Sequence, residues 1–282
     1  MSNYALVEQP IVLSVDSAYG SNISDDGASF RYDMSPPLKV PSDAVKCEIT
    51  CPEANVQYTF PNLSKDGSGD YFGYSFRGTS YLHEIPQGIY SMDEIASYMN
   101  RVALQDGIST DADLFSVVGI ESTQKVTLGA WIQDGSGDVT IDFSDSSGTA
   151  SIRELLGFDT QTITYSAGGT TGAYLYQAAE NVATFSSLTY VQVLSSIVNS
   201  SVGNTGAPSS TLCTVTPDVS VGSEIVFRPS NPLQIAADNL IGSTVNSITF
   251  RLVDNSGTQV NTMGESWSMR IQVKYWEWLQ MQ

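Results

Sequence analysis

The groups in this chain that could do chemistry are one histidine, three cysteines and thirty carboxylates. His83 lies in a strand-like run, and neither a cysteine nor a Gly-x-Ser-x-Gly elbow stands beside it to act with. Cys47 and Cys51 belong to VKCEITC, where Val45, Cys47, Ile49 and Cys51 alternate with Lys46, Glu48 and Thr50, so both thiols fall on the buried side of a strand. Three cysteines and one histidine in this spacing match no zinc-finger pattern. Bridging Cys47 to Cys51 along one strand would strain a disulfide. A sheet-based glycosidase would need two carboxyls held about 5 to 9.5 Å apart, a separation that belongs to tertiary structure. Phosphate-cradling glycine loops between a strand and a helix are absent.

The pentapeptide DGSGD occurs twice, at Asp66 to Asp70 and Asp134 to Asp138, and its alternating oxygens resemble the opening of a calcium loop. Neither copy has Gly at the sixth position or Glu at the twelfth, and Asp145 is the nearest substitute in the second copy. A hairpin turn is the better account, since Asp-Gly and Ser-Gly pairs are ordinary turn formers; a weak ion site at Asp134, Ser136 and Asp138 is the alternative. The expectation is a protein without enzymatic activity, cofactor or metal.

Thirty acidic against twelve basic residues give a net charge of −18, a field that repels phosphate backbones and anionic membranes. Direct nucleic-acid binding is therefore not expected. No stretch approaches the roughly 20 apolar residues of a membrane span, and MSNYALVEQPIVLSVD lacks a basic segment followed by an apolar core, so synthesis without a cleaved signal is expected. At 282 residues the chain can bury a sizeable core, while only 15% charged residues leaves much of its surface to Ser, Thr, Asn, Gln and Gly.

The elements that must hold these groups are mostly strands. Early candidates are Pro10 to Val15, Ala28 to Tyr32, Val45 to Cys51, Val56 to Phe60 and Tyr74 to Leu82; late ones are Leu188 to Leu194, Thr211 to Thr216 and Glu224 to Arg228. The chain ends on two alternating runs, Ile248, Phe250 and Leu252 sharing one face and Trp267, Met269, Ile271, Val273 and Tyr275 another, with Asp254 to Gly257 as turn chemistry between them. They read as a sheet with one wet and one dry face. In the middle, Ser91 and Glu94 form a capping box, and Met92, Ile95, Ala96, Met99, Val102 and Ala103 recur at helical spacing until Gly107. Ser151 and Glu154 signal a second, short helix closed by Gly157. Around it Phe115 to Ile120, Gln124 to Trp131 and Asp138 to Phe143 read as strands. The fold class is all-β, a sandwich or barrel for which the jelly-roll sandwich is the expected member, made of residues 1–85 and 182–282 with a β-rich insertion, 86–181, that carries one or two short helices.

Four blocks carry a family likeness: FPNLSKDGSGDYF, LHEIPQGIYSMDEIASYMN, SIRELLGF and SITFRLVDNSGTQVNTMGESWSMRIQV. In this order they resemble the penton, or minor capsid, proteins of Polinton-type elements, virophages and related viruses with double-jelly-roll shells. The matching positions are Pro86, Gly88 and Tyr90; Leu156, Gly157 and Phe158; and Gly264 with Glu265, whereas the first sixty residues match only as a generic strand pattern. The resemblance implies a structural virion protein: a jelly-roll subunit, one of five at an icosahedral vertex beside a double-jelly-roll major capsid protein, with the insertion facing outward.

The residues supply their own reason for association. In KYWEWLQ, Trp276 and Trp278 occupy the face opposite Tyr275, on a strand that had kept that face polar with Gln272 and Lys274. Tyr275, Trp276 and Trp278 are the candidate subunit interface, because Trp and Tyr are enriched where subunits meet; the alternative is that this end tucks into its own core. A different function for the same fold is a binding module or vertex spike that recognises a host-surface glycan or receptor, for which Trp131, Tyr174 and Tyr176 are the candidates in the insertion.

Overall fold

The computed structural model describes residues 4–63, 71–133, 138–144, 152–166, 172–185, 188–199, 201–202 and 208–280. Strands β1 (Tyr4–Asp16), β2 (Ser29–Lys39) and β3 (Lys46–Gln57) come first. They are followed by β4 (Tyr71–Phe76), β5 (Thr79–Glu84), helix α1 (Met92–Gln105), β6 (Phe115–Ile120), β7 (Lys125–Ile132), β8 (Val139–Asp142), α2 (Arg153–Leu156), β9 (Thr162–Tyr165) and β10 (Ala173–Ala178). The chain continues through β11 (Val191–Ser195), the short pair β12 (Ser201–Val202) and β13 (Pro208–Ser209), β14 (Thr211–Val215), β15 (Glu224–Phe227), β16 (Ile235–Ala236), β17 (Thr244–Val253) and β18 (Ser268–Gln280).

Two compact units result, one from Met1–Phe60 with Leu188–Gln282 and one from Pro61–Ser187. In the first, one sheet runs β1-β18-β3-β15 with β16 also on β3, and the other runs β14-β11-β17-β2. Counting its eight main strands in chain order, the sheets read 1-8-3-6 and 5-4-7-2, which is the strand order of a jelly roll with its two Greek keys. The alternating residues expected to be buried are buried: Ile248, Phe250 and Leu252 from β17, and Trp267, Met269, Ile271 and Val273 from β18 and its approach. Phe30 packs edge-on against Trp267 at 5.0 Å and tilted against Phe250 at 5.5 Å. The Trp267 indole donates to the Gly27 carbonyl at 3.1 Å, so its polar end is satisfied inside the core.

The two terminal runs do not pair with each other, contrary to a single two-faced sheet. β17 pairs with β11 and β2, whereas β18 pairs with β1 and β3. Asp254 does organise a local turn, its carboxylate accepting from the Ser256 and Thr258 amides. The segment after it, though, crosses from one sheet to the other, because each run must bury its dry face from opposite sides of one core. Val45 to Cys51 and Val56 to Phe60, expected as two strands, contribute to a single one, β3, which spans Lys46–Gln57. The register against β18 slips between Arg270↔Glu53 and Gln272↔Thr50, placing Pro52 in a bulge where its missing N–H costs nothing.

The second unit begins at Pro61, not Pro86, and ends at Ser187. Tyr74 to Leu82 is not one strand but parts of β4 and β5, reversed at Arg77 and Gly78, both at positive φ. Since β4 also pairs with β8, which pairs with β9, these residues belong to the inserted unit. A separate sheet runs β10-β7-β6. α1 starts at the expected capping box, Ser91 and Glu94 each holding the other's amide, and buries Ile95, Tyr98, Met99, Val102 and Ala103. α2 has Ile152 at its N-cap with no side-chain cap; Ser151, expected there, lies outside the described residues.

Candidate assembly surface

β1 and β18 run antiparallel along their full lengths, so Leu6 stands opposite Trp278, Glu8 opposite Trp276, and Gln9 opposite Tyr275. On its other side β18 pairs with β3 only as far as Trp276↔Lys46. Beyond that point the sheet narrows to a two-stranded ribbon. Pro10 has no N–H and lies opposite Lys274, which makes that a non-hydrogen-bonded pair; by alternation Trp276 and Trp278 also turn their backbone groups away from β1. The Trp276 carbonyl accordingly accepts from the Val45 amide at 2.8 Å. Trp278 has no β3 residue opposite it, so its backbone faces an open edge.

The three aromatic candidates occupy different environments. Tyr275 packs against the jelly-roll core, and burial, followed by the nearby Glu277 and Asp43 carboxylates, raises its pKa. Trp276 is half-buried on the outer face, with the Lys46 ammonium 4.7 Å above its ring. Trp278 remains 55% exposed, and Leu6 opposite it and the neighbouring Leu279 are exposed too. Lys274 pairs with Glu8 at 2.8 Å beside them. Leu6 and Trp278 leave an apolar tip on the outer face of the sheet, flanked by matched charges, while Leu279 lies on the opposite face with Tyr275. Sequence reasoning missed Leu6 and the exposed Val12; their signal was that apolar residues share the phase of Glu8, Pro10 and Ser14 in β1, the wet face.

The other motif positions do architectural work. Leu63 and Gly88 exchange backbone hydrogen bonds, the Tyr90 hydroxyl donates to the Pro86 carbonyl at 2.7 Å, and the Asn62 amide donates to the Tyr90 carbonyl at 2.8 Å. Leu156 and Phe158 are buried, Phe158 stacking on Phe143 at 5.2 Å. Between them Gly157 is left-handed at φ +82°, and a Cβ there would stand 2.4 Å from the Asn181 carbonyl oxygen. Gly264, also left-handed, and Glu265 complete a turn whose Glu265 amide donates to the Thr262 carbonyl at 3.0 Å.

His83 and the three cysteines are taken up by hydrogen bonding and packing. His83 Nε2 lies 2.7 Å from Asp106, whose carboxylate also accepts from the Tyr74 hydroxyl at 2.5 Å; burial, then this carboxylate, raises the tyrosine pKa. All three cysteines are buried and free. Cys47 is pushed up to about 11 by burial, then by Asp238 and Glu48, and Cys213 is raised well above its ordinary range by the Cys51 thiol and by burial. Most of both DGSGD segments lies outside the described residues, including Asp134 and Ser136. Among the described residues no cluster of His, Cys, Asp or Glu could hold a metal, and no helix is long and apolar enough to cross a membrane. Trp131, Tyr174 and Tyr176 are brought together on one sheet face, Trp131 5.1 Å from Tyr174 and Tyr174 5.7 Å from Tyr176 between ring centroids.

No protein-family model and no curated protein sequence matches the chain. Among solved structures it is similar to the crystal structure of the mavirus penton protein, at 11% identity and a TM-score of 0.43, over 98% of this chain and 100% of that one. It is also similar to a chain in the 3.5 Å cryo-electron microscopy structure of the Sputnik virophage, at 12% identity and a TM-score of 0.37, over 95% of this chain and 97% of that one.

Proposed function

We propose that this chain is a building block of an icosahedral virus shell, a penton subunit that closes the five-fold vertices as a homopentamer beside a major capsid protein of double-jelly-roll type. Its location is the virion, and its work is shape and mutual adhesion without chemical turnover. The observation that supports this reading best is the β1–β18 ribbon, anchored in the jelly-roll sheet at one end and presenting Leu6 and Trp278 on one face, with Leu279 exposed on the other, at its free end. A rigid sheet carrying an apolar tip suits lateral contact between repeated copies, since aromatic anchors dominate interface energetics. The resemblance of the four motif blocks to penton proteins supports a five-fold ring with the inserted unit facing outward.

Charge sets the conditions for assembly. Copies at −18 each repel, so association strengthens with added salt as the repulsion is screened. The test is the mass of the purified chain in solution, alone and with its coat partner, together with its position in a particle reconstruction. Pentamers at the vertices are expected; a chain that stays monomeric with its coat partner and is absent from particles refutes the proposal.

A further inference from the structure

The outer face of the β10-β7-β6 sheet carries an aromatic step that the vertex role does not use. β10 pairs with β7 in a register that sets Tyr174 opposite Trp131 and Tyr176 opposite Gly129. Val126, Leu128, Ala130 and Ile132 take the inner, buried face of β7, so Trp131 and Gly129 belong to the outer one. A Cβ on Gly129 would stand 2.5 Å from Tyr176 Cε1 and 2.7 Å from Cδ1. The Tyr176 ring therefore lies down on the sheet over the glycine, and the residue is still 53% exposed. Tyr174 continues the step at an interplanar angle of 33°, and Trp131 meets Tyr174 edge-on. The Tyr174 hydroxyl is held by the Asp113 carbonyl at 2.7 Å, which fixes the ring.

Tyr174 also lines a groove of about 660 Å³, whose polar groups include Ser97, Arg101 and Gln105 on the α1 side and Asp113 and Ser116 on the β6 side, interspersed with apolar residues such as Leu104 and Val117. An aromatic face continuing through Tyr174 into a groove that mixes hydroxyl, amide, guanidinium and carboxylate groups with apolar ones has the composition that a sugar needs. A pyranose ring offers a face of weakly positive C–H bonds to the negative face of an aromatic ring, and a rim of hydroxyls that both donate and accept. A nucleobase would also stack, but it brings phosphates into the field of a chain carrying −18, and sialylated or sulfated glycans meet the same repulsion. Arg101 and Asp113 bring one charge of each sign to the groove, which matches a neutral ligand.

We propose that this face of the inserted unit is a binding site for a neutral glycan, with Tyr176 as the stacking platform, Gly129 as the cradle that lets it lie flat, and the α1–β6 groove supplying hydrogen bonds to the sugar's rim. The site lies within one subunit, so its occupancy does not depend on the oligomeric state proposed above.

The experiment is saturation-transfer NMR on the full chain with cellotriose, chitotriose and lactose as neutral probes and 3′-sialyllactose as the charged comparison. Transfer to the ring C–H protons of at least one neutral probe is expected. Tyr176→Ala should weaken that probe about tenfold, whereas Tyr176→Phe, which keeps the ring, should stay within about threefold. Gly129→Val should weaken it as Tyr176→Ala does, with both proteins checked for an unchanged circular dichroism spectrum. No transfer to any neutral probe at millimolar concentration, transfer that survives Tyr176→Ala, or transfer to the sialylated probe alone would each overturn the proposal.

Discussion

Replacing Trp278 with serine tests the assembly surface directly. An aromatic side chain buries at most about 250 Å², so the 55% of Trp278 that remains exposed corresponds to about 140 Å². Covering that area contributes about 3.5 kcal/mol at about 25 cal/mol per Å². Immobilising the side chain costs about 1 kcal/mol, which leaves about 2.5 kcal/mol, or about sixtyfold in association at each contact. A ring repeats the contact at every junction, so the concentration for assembly should rise by more than that factor. The isolated subunit should change by less than about 0.5 kcal/mol, because the ring is at the surface. Sedimentation velocity over a concentration series reads the first quantity, and the urea midpoint reads the second. Serine at this position assembling at the wild-type concentration would refute the reasoning, as would a collapse of the fold. Deleting Trp276 to Gln282 is the blunter form: a folded monomer that no longer enters particles is expected.

Gly157→Ala should destabilise the inserted unit by about 2 kcal/mol or more, since a left-handed alanine costs about 1 to 2 kcal/mol and its Cβ would also strike the Asn181 carbonyl; Gly157→Asn, which tolerates the left-handed backbone, should still destabilise through the same clash, and hydrogen exchange in α2 checks both. Asp26 is pulled up by burial, but hydrogen bonds from Ser24, the Ala28 amide and Gln259 outweigh it and leave its pKa lowered. Its contribution to stability is therefore fully present above the ordinary carboxylate pKa of about 4 and is lost as pH falls through the lower folded value. Asp26→Asn should flatten the acid limb of the unfolding profile, and an unchanged limb would contradict the assignment. Native protein should resist iodoacetamide at about pH 8, because all three cysteines are buried and the Cys47 thiol is pushed up to about 11; urea should release three labelled sites, counted by mass spectrometry.

The residues that this sequence places correctly are those governed by near neighbours. Alternation along β17 and β18 identifies Phe250 and Ile271 as buried, because side chains on a strand alternate faces whatever the strand pairs with. The capping box fixes the start of α1, since Ser91 and Glu94 satisfy each other's amides within one turn. Gly157 marks the end of α2 for a similarly local reason, its left-handed backbone.

Pairing was another matter. That β17 and β18 separate into different sheets, that β3 continues through Pro52 by a bulge, and that β4 and β5 join β8 in the inserted unit all depend on partners distant in the chain. The same holds for the candidate sites. Sequence named Trp276, Trp278, Trp131, Tyr174 and Tyr176, but exposure follows from where neighbouring strands stop and from what lies beneath a ring. Trp278 is open because β3 begins at Lys46, and Tyr176 lies flat because register brings Gly129 under it. A residue's phase on a strand is set by its own chain geometry, whereas its neighbours are chosen only when the whole core closes.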